Sequence, residues 1–311
     1  MTEAGTFETL EGESGRARFS FLLARIKKSS SRTPFTSLFP LTPFFIFAGF
    51  FLLWPVVAVT IRSLQGNDGQ WTFSNYIAIT HGSYRHAFFT SIKLALITAT
   101  IGSLLGALFA YTVVRFAGPK LTSILDSISA VFANSGGVPL AFMFVASFGV
   151  EGFVTKALKS LGWDIYAGHF TIFSFTGVVM VYSFFQIPLM FLVFKPAISG
   201  LRKEWLEAST SLGADSLTYF RRVALPILTP PFVGAFFLLF SGGFSAYATA
   251  RALTVGTVPL VPIIIGTLVD GNVVSDSANL GDALAVGMIV VAAVGMIGYI
   301  WAQRKAARWR S

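Results

Sequence analysis

The chain has 311 residues, of which 54% are hydrophobic and 12% charged, about half the charged share of an average soluble domain. So few charges cannot build the polar shell of a soluble body of this length, so an integral membrane protein is expected. Cysteine is absent, which excludes disulfides and thiolate metal sites, and the net charge of +9 is read as a signal of membrane orientation rather than of nucleic-acid binding.

Residues 1–18 are polar, with Glu3, Glu8, Glu11 and Glu13 and no apolar h-region, so a cleavable signal is not expected. Phe19, Leu22, Leu23 and Ile26 then recur at helical spacing among Arg18, Arg25, Lys27 and Lys28. This pattern predicts a short interfacial helix in the headgroups of membrane lipid, the alternative being a solvated basic tail. Residues 1–37 are assigned to that cytoplasmic tail.

A membrane-crossing helix needs about 20 mostly apolar residues. Uncharged stretches of that length run Leu38–Ile61, Leu94–Val114, Ser127–Val150, Ile165–Phe194, Val223–Ala250 and Ala283–Gln303. A seventh, Ala252–Val269, is interrupted by Gly256, Pro259, Pro262 and Gly266. Charge decides between six spans and seven. With six spans and both termini inside, the cytoplasmic side collects 17 of the 23 basic residues, among them Arg115, Lys120, Lys195, Arg202, Lys203, Arg221, Arg222 and the Arg304–Arg310 cluster. A seventh span would carry that last cluster outside, against the positive-inside rule. The prediction is an all-α protein with six transmembrane helices over 38–305 and a basic cytoplasmic tail over 306–311. Ala252–Val269 becomes a broken segment, tolerated at membrane depth only under protein or in a water-filled cavity. Outer loops at about 62–87 and 151–168 carry Trp71, Tyr76, Tyr84, Trp163 and Tyr166, an interfacial aromatic belt.

The inner loop over 198–226 is the most informative part of the chain. A helix around Trp205–Leu212 ends at Gly213, which can take the left-handed conformation that closes a helix. Asp215 or Ser216 can cap a second helix containing Leu217, Phe220 and Val223, and Pro226 stands where the chain re-enters the membrane. The residues read Glu207, Ala208, Ser209, three more, Gly213, nine more, then Val223, Ala224, Leu225 and Pro226. This spacing resembles the "EAA" loop of binding-protein-dependent ABC importer permeases of the type I fold, whose pattern is Glu-Ala-Ala, three residues, Gly, nine residues, Ile-x-Leu-Pro. Two positions depart from it, Ser209 for Ala and Val223 for Ile, both small or isosteric changes. The resemblance implies a non-catalytic permease subunit of the bacterial inner membrane that forms half of a translocation pathway. It implies that the Glu207–Gly213 helix docks on a cytoplasmic ATPase. The partners it implies are two ATP-binding subunits, a second permease subunit in a heterodimer, and an extracytoplasmic substrate-binding protein. Ala208, Ser209 and Gly213 would allow close approach of another backbone, and Glu207 could accept a charge-assisted hydrogen bond. Arg221 and Arg222 could face acidic partner residues or lipid phosphate.

No phosphate-cradling GxxxxGK[ST] pattern occurs, so ATP hydrolysis is assigned to a separate subunit. No cofactor or metal site is expected; His81, His86 and His169 are scattered without ligand spacing. Gly136-Gly137 with Pro139, and Ser241-Gly242-Gly243, are weak points in helices, open to tight packing or to a gate beside the pathway, with Tyr247 following. Residues 244–250, Leu260-Val261-Pro262 and Gly271-Asn272-Val273 look like the spermidine/putrescine-type permeases, so a polyamine-type substrate is expected, the alternatives being a sugar, phosphonate, thiamine or ferric iron. An ion-coupled carrier is the rival reading. It would want ionisable groups near the midplane, and Lys93 and Asp126, at predicted span ends, are the nearest.

Overall fold

The computed structural model describes residues 41–66, 68–168, 170–254, 256–269 and 278–307. The predicted N-terminal tail and interfacial helix, Gly271-Asn272-Val273, Arg308 and Arg310 lie outside them. The chain divides into two compact units, residues 1–58 and 59–311. The described part of the first unit is helical and belongs to α1, Thr42–Ser63, which has one wide turn at Gly49–Leu53. Its large apolar side chains from Phe44 to Trp54 are all exposed.

The second unit continues through α2 (Ser74–Ile79), α3 (Gly82–Phe116), α4 (Pro119–Ala133), α5 (Val138–Phe148), α6 (Phe153–Ser160) and α7 (Phe175–Ser199). Then come α8 (Lys203–Ser211), α9 (Ser216–Tyr219), α10 (Leu225–Ser245), α11 (Ala248–Thr254), α12 (Val261–Val269) and α13 (Ala278–Ala307). Among the described residues six segments are long and apolar enough to cross a membrane: Thr42–Ser63, Gly82–Phe116, Val138–Ser160, Phe175–Ser199, Ser216–Ser245 and Asn279–Arg304. The fold class is therefore the expected all-α, six-span one.

Helix boundaries depart from the hydropathy reading where hydropathy and helix formation are different questions. The second span begins at Gly82, twelve residues before Leu94, because Arg85 and Lys93 end an apolar run without ending a helix. Lys93 is therefore not at a helix end; its Nζ lies 5.4 Å from the Phe175 ring centroid. The predicted third span, Ser127–Val150, is two helices. Gly137 has φ +104 and Pro139 opens α5, so the chain turns between Ala133 and Val138. The fourth starts at Phe175, where Ser174 Oγ accepts from Gly177 N at 3.4 Å, rather than at Ile165. The fifth stops at Ser245, with Ala246 extended at ψ 104, and restarts as α11.

Between packed membrane helices lipid is as apolar as Leu, so close backbone approach, not burial from water, favours association. α3 meets this demand with a buried stripe of Ala95, Ala99, Gly102, Gly106 and Ala110, against which α7 and α10 pack. A Cβ at Gly106 would stand 2.6 Å from the Ile187 carbonyl oxygen. Among the described residues three apolar clusters result, the smallest of Ala87, Val261, Leu268 and Leu284. Of the two larger ones, one gathers Leu140, Phe144, Val178, Tyr182 and Leu253; the other gathers Val113, Met190, Phe191, Phe194 and Leu239. The middle of the broken segment is covered by protein: Val258, Leu260, Val261 and Ile263 are buried, and Val261 N donates to Ser91 Oγ at 2.9 Å.

Candidate functional site: the inter-helix loop and the polar seam above it

After α7, Leu201 and Arg202 lead into α8, and the Arg202 guanidinium lies 5.8 Å from the Trp205 ring centroid. Along α8 the polar side chains turn back on their own backbone: Ser209 Oγ donates to Leu206 O at 2.8 Å and Thr210 Oγ1 to Glu207 O at 2.8 Å. The hydroxyl that distinguishes Ser209 from the family's Ala is thereby satisfied within the helix. Glu207 and Ala208 are exposed, beside Ser211 and Leu212, and Leu212 is 88% exposed.

The helix closes with two nested hydrogen bonds. Ala214 N donates to Ser209 O at 3.0 Å and Gly213 N to Thr210 O at 2.9 Å. This is the Schellman arrangement, and it demands a left-handed residue between. Gly213 supplies it with φ +79. A Cβ there would meet nothing within 4 Å, so within the chain the glycine is required by backbone conformation alone.

Asp215, not Ser216, caps α9: its Oδ1 accepts from Thr218 N at 3.0 Å. Hydrogen bonds from Thr218, side chain first and then backbone, hold the Asp215 carboxyl below the usual carboxylate range. α9 does not stop at Pro226. One wide turn, Phe220–Ala224, joins it to α10, with Leu225 N donating to Phe220 O. Such a turn absorbs the missing N–H and the ring of Pro226 just beyond it. Val223 is half-buried and Ala224 buried, while Leu225 and Pro226 are exposed. The loop is thus a short rigid helix–turn–helix whose second helix is continuous with a span.

The predicted gate residues separate into different roles. α10 runs unbroken through Ser241-Gly242-Gly243. Gly243 is buried, and a Cβ on it would come 2.6 Å from Gln186 Nε2; Gly242 faces open space. The real break follows at Ala246, and Tyr247 packs over Gly266, where a Cβ would fall 2.7 Å from the Tyr247 hydroxyl.

Two residues that the sequence reading did not single out brace these breaks, Tyr182 and Thr249, and a third, Gln186, ties α7 to α3. Tyr182, fully buried, donates its hydroxyl to the freed Ala246 carbonyl at 2.6 Å. Thr249 Oγ1 accepts from Gly137 N at 2.7 Å and donates to Gly137 O at 3.2 Å, tying the α4–α5 turn to α11. Gln186, 1% exposed, donates to Thr98 Oγ1 at 3.2 Å, and its own Oε1 has no partner. Gln186 alone left a signal, a lone amide inside an apolar run.

The two carboxylates on the described bundle helices are each paired. Lys195 Nζ donates to both Asp126 oxygens at 2.5 Å, and Arg62 Nε lies 3.0 Å from Asp282 Oδ2.

The sequence profile of the family described as "Binding-protein-dependent transport system inner membrane component" matches residues 102–311. A probable sulfate transport system permease protein cysT of Helicosporidium sp. is 27% identical over 186 residues, 59% of this chain and 65% of that protein. The chain thus matches slightly less than two thirds of that relative. The sulfate transport system permease protein CysT of Salmonella typhimurium is 25% identical over 63% of this chain and 67% of its own. Both of these relatives are named for sulfate, not for the polyamine-type substrate expected from the sequence. Among solved structures, a bacterial ABC transporter importing the acidic polysaccharide alginate superposes with TM-score 0.67 at 16% identity, covering 92% of this chain and 98% of that one. A second alginate transporter structure contains an alginate pentasaccharide-bound periplasmic protein. The MetNI methionine ABC transporter in inward-facing form superposes with TM-score 0.53 at 15% identity, over 71% and 94%.

Proposed function

From the premise that this chain belongs to the family of binding-protein-dependent transport system inner membrane components, an ABC importer permease subunit, we propose that α8 and the Gly213 turn are its ATPase-docking element. The observation that carries this reading is the loop itself. Glu207 and Ala208 stand exposed on a helix closed by a fixed turn, and the next helix continues into the span α10. A push on α8 is therefore delivered to α10 through Asp215–Ala224 with little slack. Polar groups that already bond to their own helix, as Ser209 and Thr210 do, leave a smooth face for another backbone.

In this reading two ATP-binding subunits each receive one such loop, from this chain and from a second, different permease subunit. An extracytoplasmic binding protein delivers the solute. The basic residues Arg115, Lys195, Arg202 and Arg304 support a cytoplasmic loop end, in a bacterial inner membrane, by the positive-inside rule. Gly242 and Tyr247 flank the pathway where α10 gives way to α11, and Gly243 lets α10 close on α7.

The substrate we propose is a small oxyanion of the sulfate class. A polycation path would be favoured by free carboxylates, and on the described bundle helices Asp126 and Asp282 are each spent on a cation. The names of the relatives point the same way. Uptake of labelled sulfate by cells carrying the whole transporter tests this. Competition by excess thiosulfate or molybdate and none by spermidine is expected; inhibition by spermidine alone overturns the oxyanion reading.

A further inference from the structure

At the loop end of the bundle, a cleft of about 360 Å³ opens between the last turns of α3 and α7 and the α8–α9 loop. Three charged residues line it, Arg115, Arg202 and Lys203, and all are basic. Among the described residues none of the three forms an ion pair. Tyr111, Ile198, Phe220 and Leu228 line this cleft and also the head of a second, apolar groove of about 580 Å³, which runs on along α3 and α10 past Leu108 to Leu104 and Phe232. The two are one amphiphile-shaped trough, cationic at one end and hydrocarbon along its length. From Arg115 to Leu104 is eleven residues of α3, about 16 Å at 1.5 Å per residue. That is the depth of one leaflet, half of a hydrocarbon core about 30 Å thick.

We infer that this trough holds one anionic phospholipid of the cytoplasmic leaflet, its phosphate at Arg115, Arg202 and Lys203 and one acyl chain along Leu108 and Phe232. Charge complementarity selects this occupant over a helix of another subunit, since an apolar helix would leave three cations uncompensated at its end. Arginine's planar fork suits phosphate oxygens, and Lys203 adds a point charge. The headgroup would touch both ends of the α8–α9 loop, because Leu206 and Tyr219 line the same cleft. Lipid would then be a structural part of the junction between loop and spans. The inference needs the membrane orientation argued above but not the docking role of α8.

Native mass spectrometry of the full chain, released from detergent in the presence of phosphatidylglycerol or phosphatidylcholine, tests it. Wild type should retain one phosphatidylglycerol at least about 10-fold more readily than phosphatidylcholine, and the Arg115→Gln/Arg202→Gln/Lys203→Gln variant should lose retention on the order of 100-fold. Lys120→Gln/Arg221→Gln/Arg222→Gln, the same charge change outside the cleft, should retain lipid as wild type does. Leu108→Trp, which fills the groove and leaves the cations in place, should lower retention and keeps the test open if the triple variant fails to fold. Equal retention of both lipids by wild type, undiminished retention by the cleft variant or by Leu108→Trp, or equal loss in the control variant overturns the site.

Discussion

Gly213 gives the sharpest handle on the loop, because its requirement can be separated into two parts. Its φ of +79 lies in the left-handed region, and a Cβ built on it would touch nothing within the chain. Substitution therefore costs backbone strain and no packing. Ala at such a position costs about 1 kcal/mol, roughly a 5-fold fall in the population of the closed turn, and a β-branched Val about 2 kcal/mol or more, roughly 30-fold. Asn, which enters the left-handed region far more readily, should cost only a few tenths. If the turn alone matters, substrate uptake by the whole transporter in membrane vesicles should follow the order Gly, Asn, Ala, Val, with insertion of the permease unchanged. If a partner backbone also lies against Gly213, Asn should fall well below its place in that order, because the strain it adds is small. ATPase copurification from the same vesicles separates loss of docking from loss of transmission. Uptake by Gly213→Val at the wild-type rate, with the ATPase still bound, refutes the reasoning outright.

Other consequences follow from the polar seam and the loop caps. Gly243→Ala forces a methyl to 2.6 Å from Gln186 Nε2; overpacking of this kind costs about 1–3 kcal/mol and should lower the thermal midpoint of the purified complex, while Gly242→Ala, in open space, should stay within about 0.5 kcal/mol of wild type. Thr249→Val strands Gly137 N, while Gly137 O keeps its bond from Ala141 N, a loss of about 1–3 kcal/mol; Thr249→Ser should restore most of it, and equal midpoints for Val and Ser would exclude the clamp. Asp215 has a folded pKa held below its unfolded value, so its cap is fully present above about pH 4 and is lost as pH falls through the lowered pKa. Amide exchange over 216–219, corrected for intrinsic rates, should accelerate in acid for wild type and stay flat for Asp215→Asn, which keeps the cap without titrating.

Much of this architecture was legible in the residues. Six apolar stretches and the distribution of Lys and Arg were enough for the span count. Gly213, Asp215 and their spacing placed the helix–turn–helix, since caps and turns are local chemistry. Hydropathy failed wherever a helix outran its apolar core, as α3 does past Lys93 and Arg85, and wherever a helix broke inside an apolar run, as at Asn134–Gly137 and Ala246. In both cases the deciding term is backbone conformation or a distant partner, and neither alters mean hydropathy. Thr249 and Tyr182 were invisible for the same reason. Each matters through backbone groups in a break between other helix segments, 112 and 64 residues away in sequence. Gly242 and Gly243 looked alike as neighbours in sequence, and only packing tells the open one from the filled one.

The central claim is that the exposed face of α8 meets an ATP-binding subunit, and site-directed cross-linking measures it most directly. A photoreactive residue in place of Glu207 or Leu212, both exposed, should cross-link in native membranes to the ATP-binding subunit of the same transporter. The yield should change when ATP analogues close that subunit, and the same probe at Trp71, in the loop assigned to the opposite face, should give no such product. Cross-links from Glu207 and Leu212 to lipid or water alone, or to the ATPase equally from Trp71, would contradict the account.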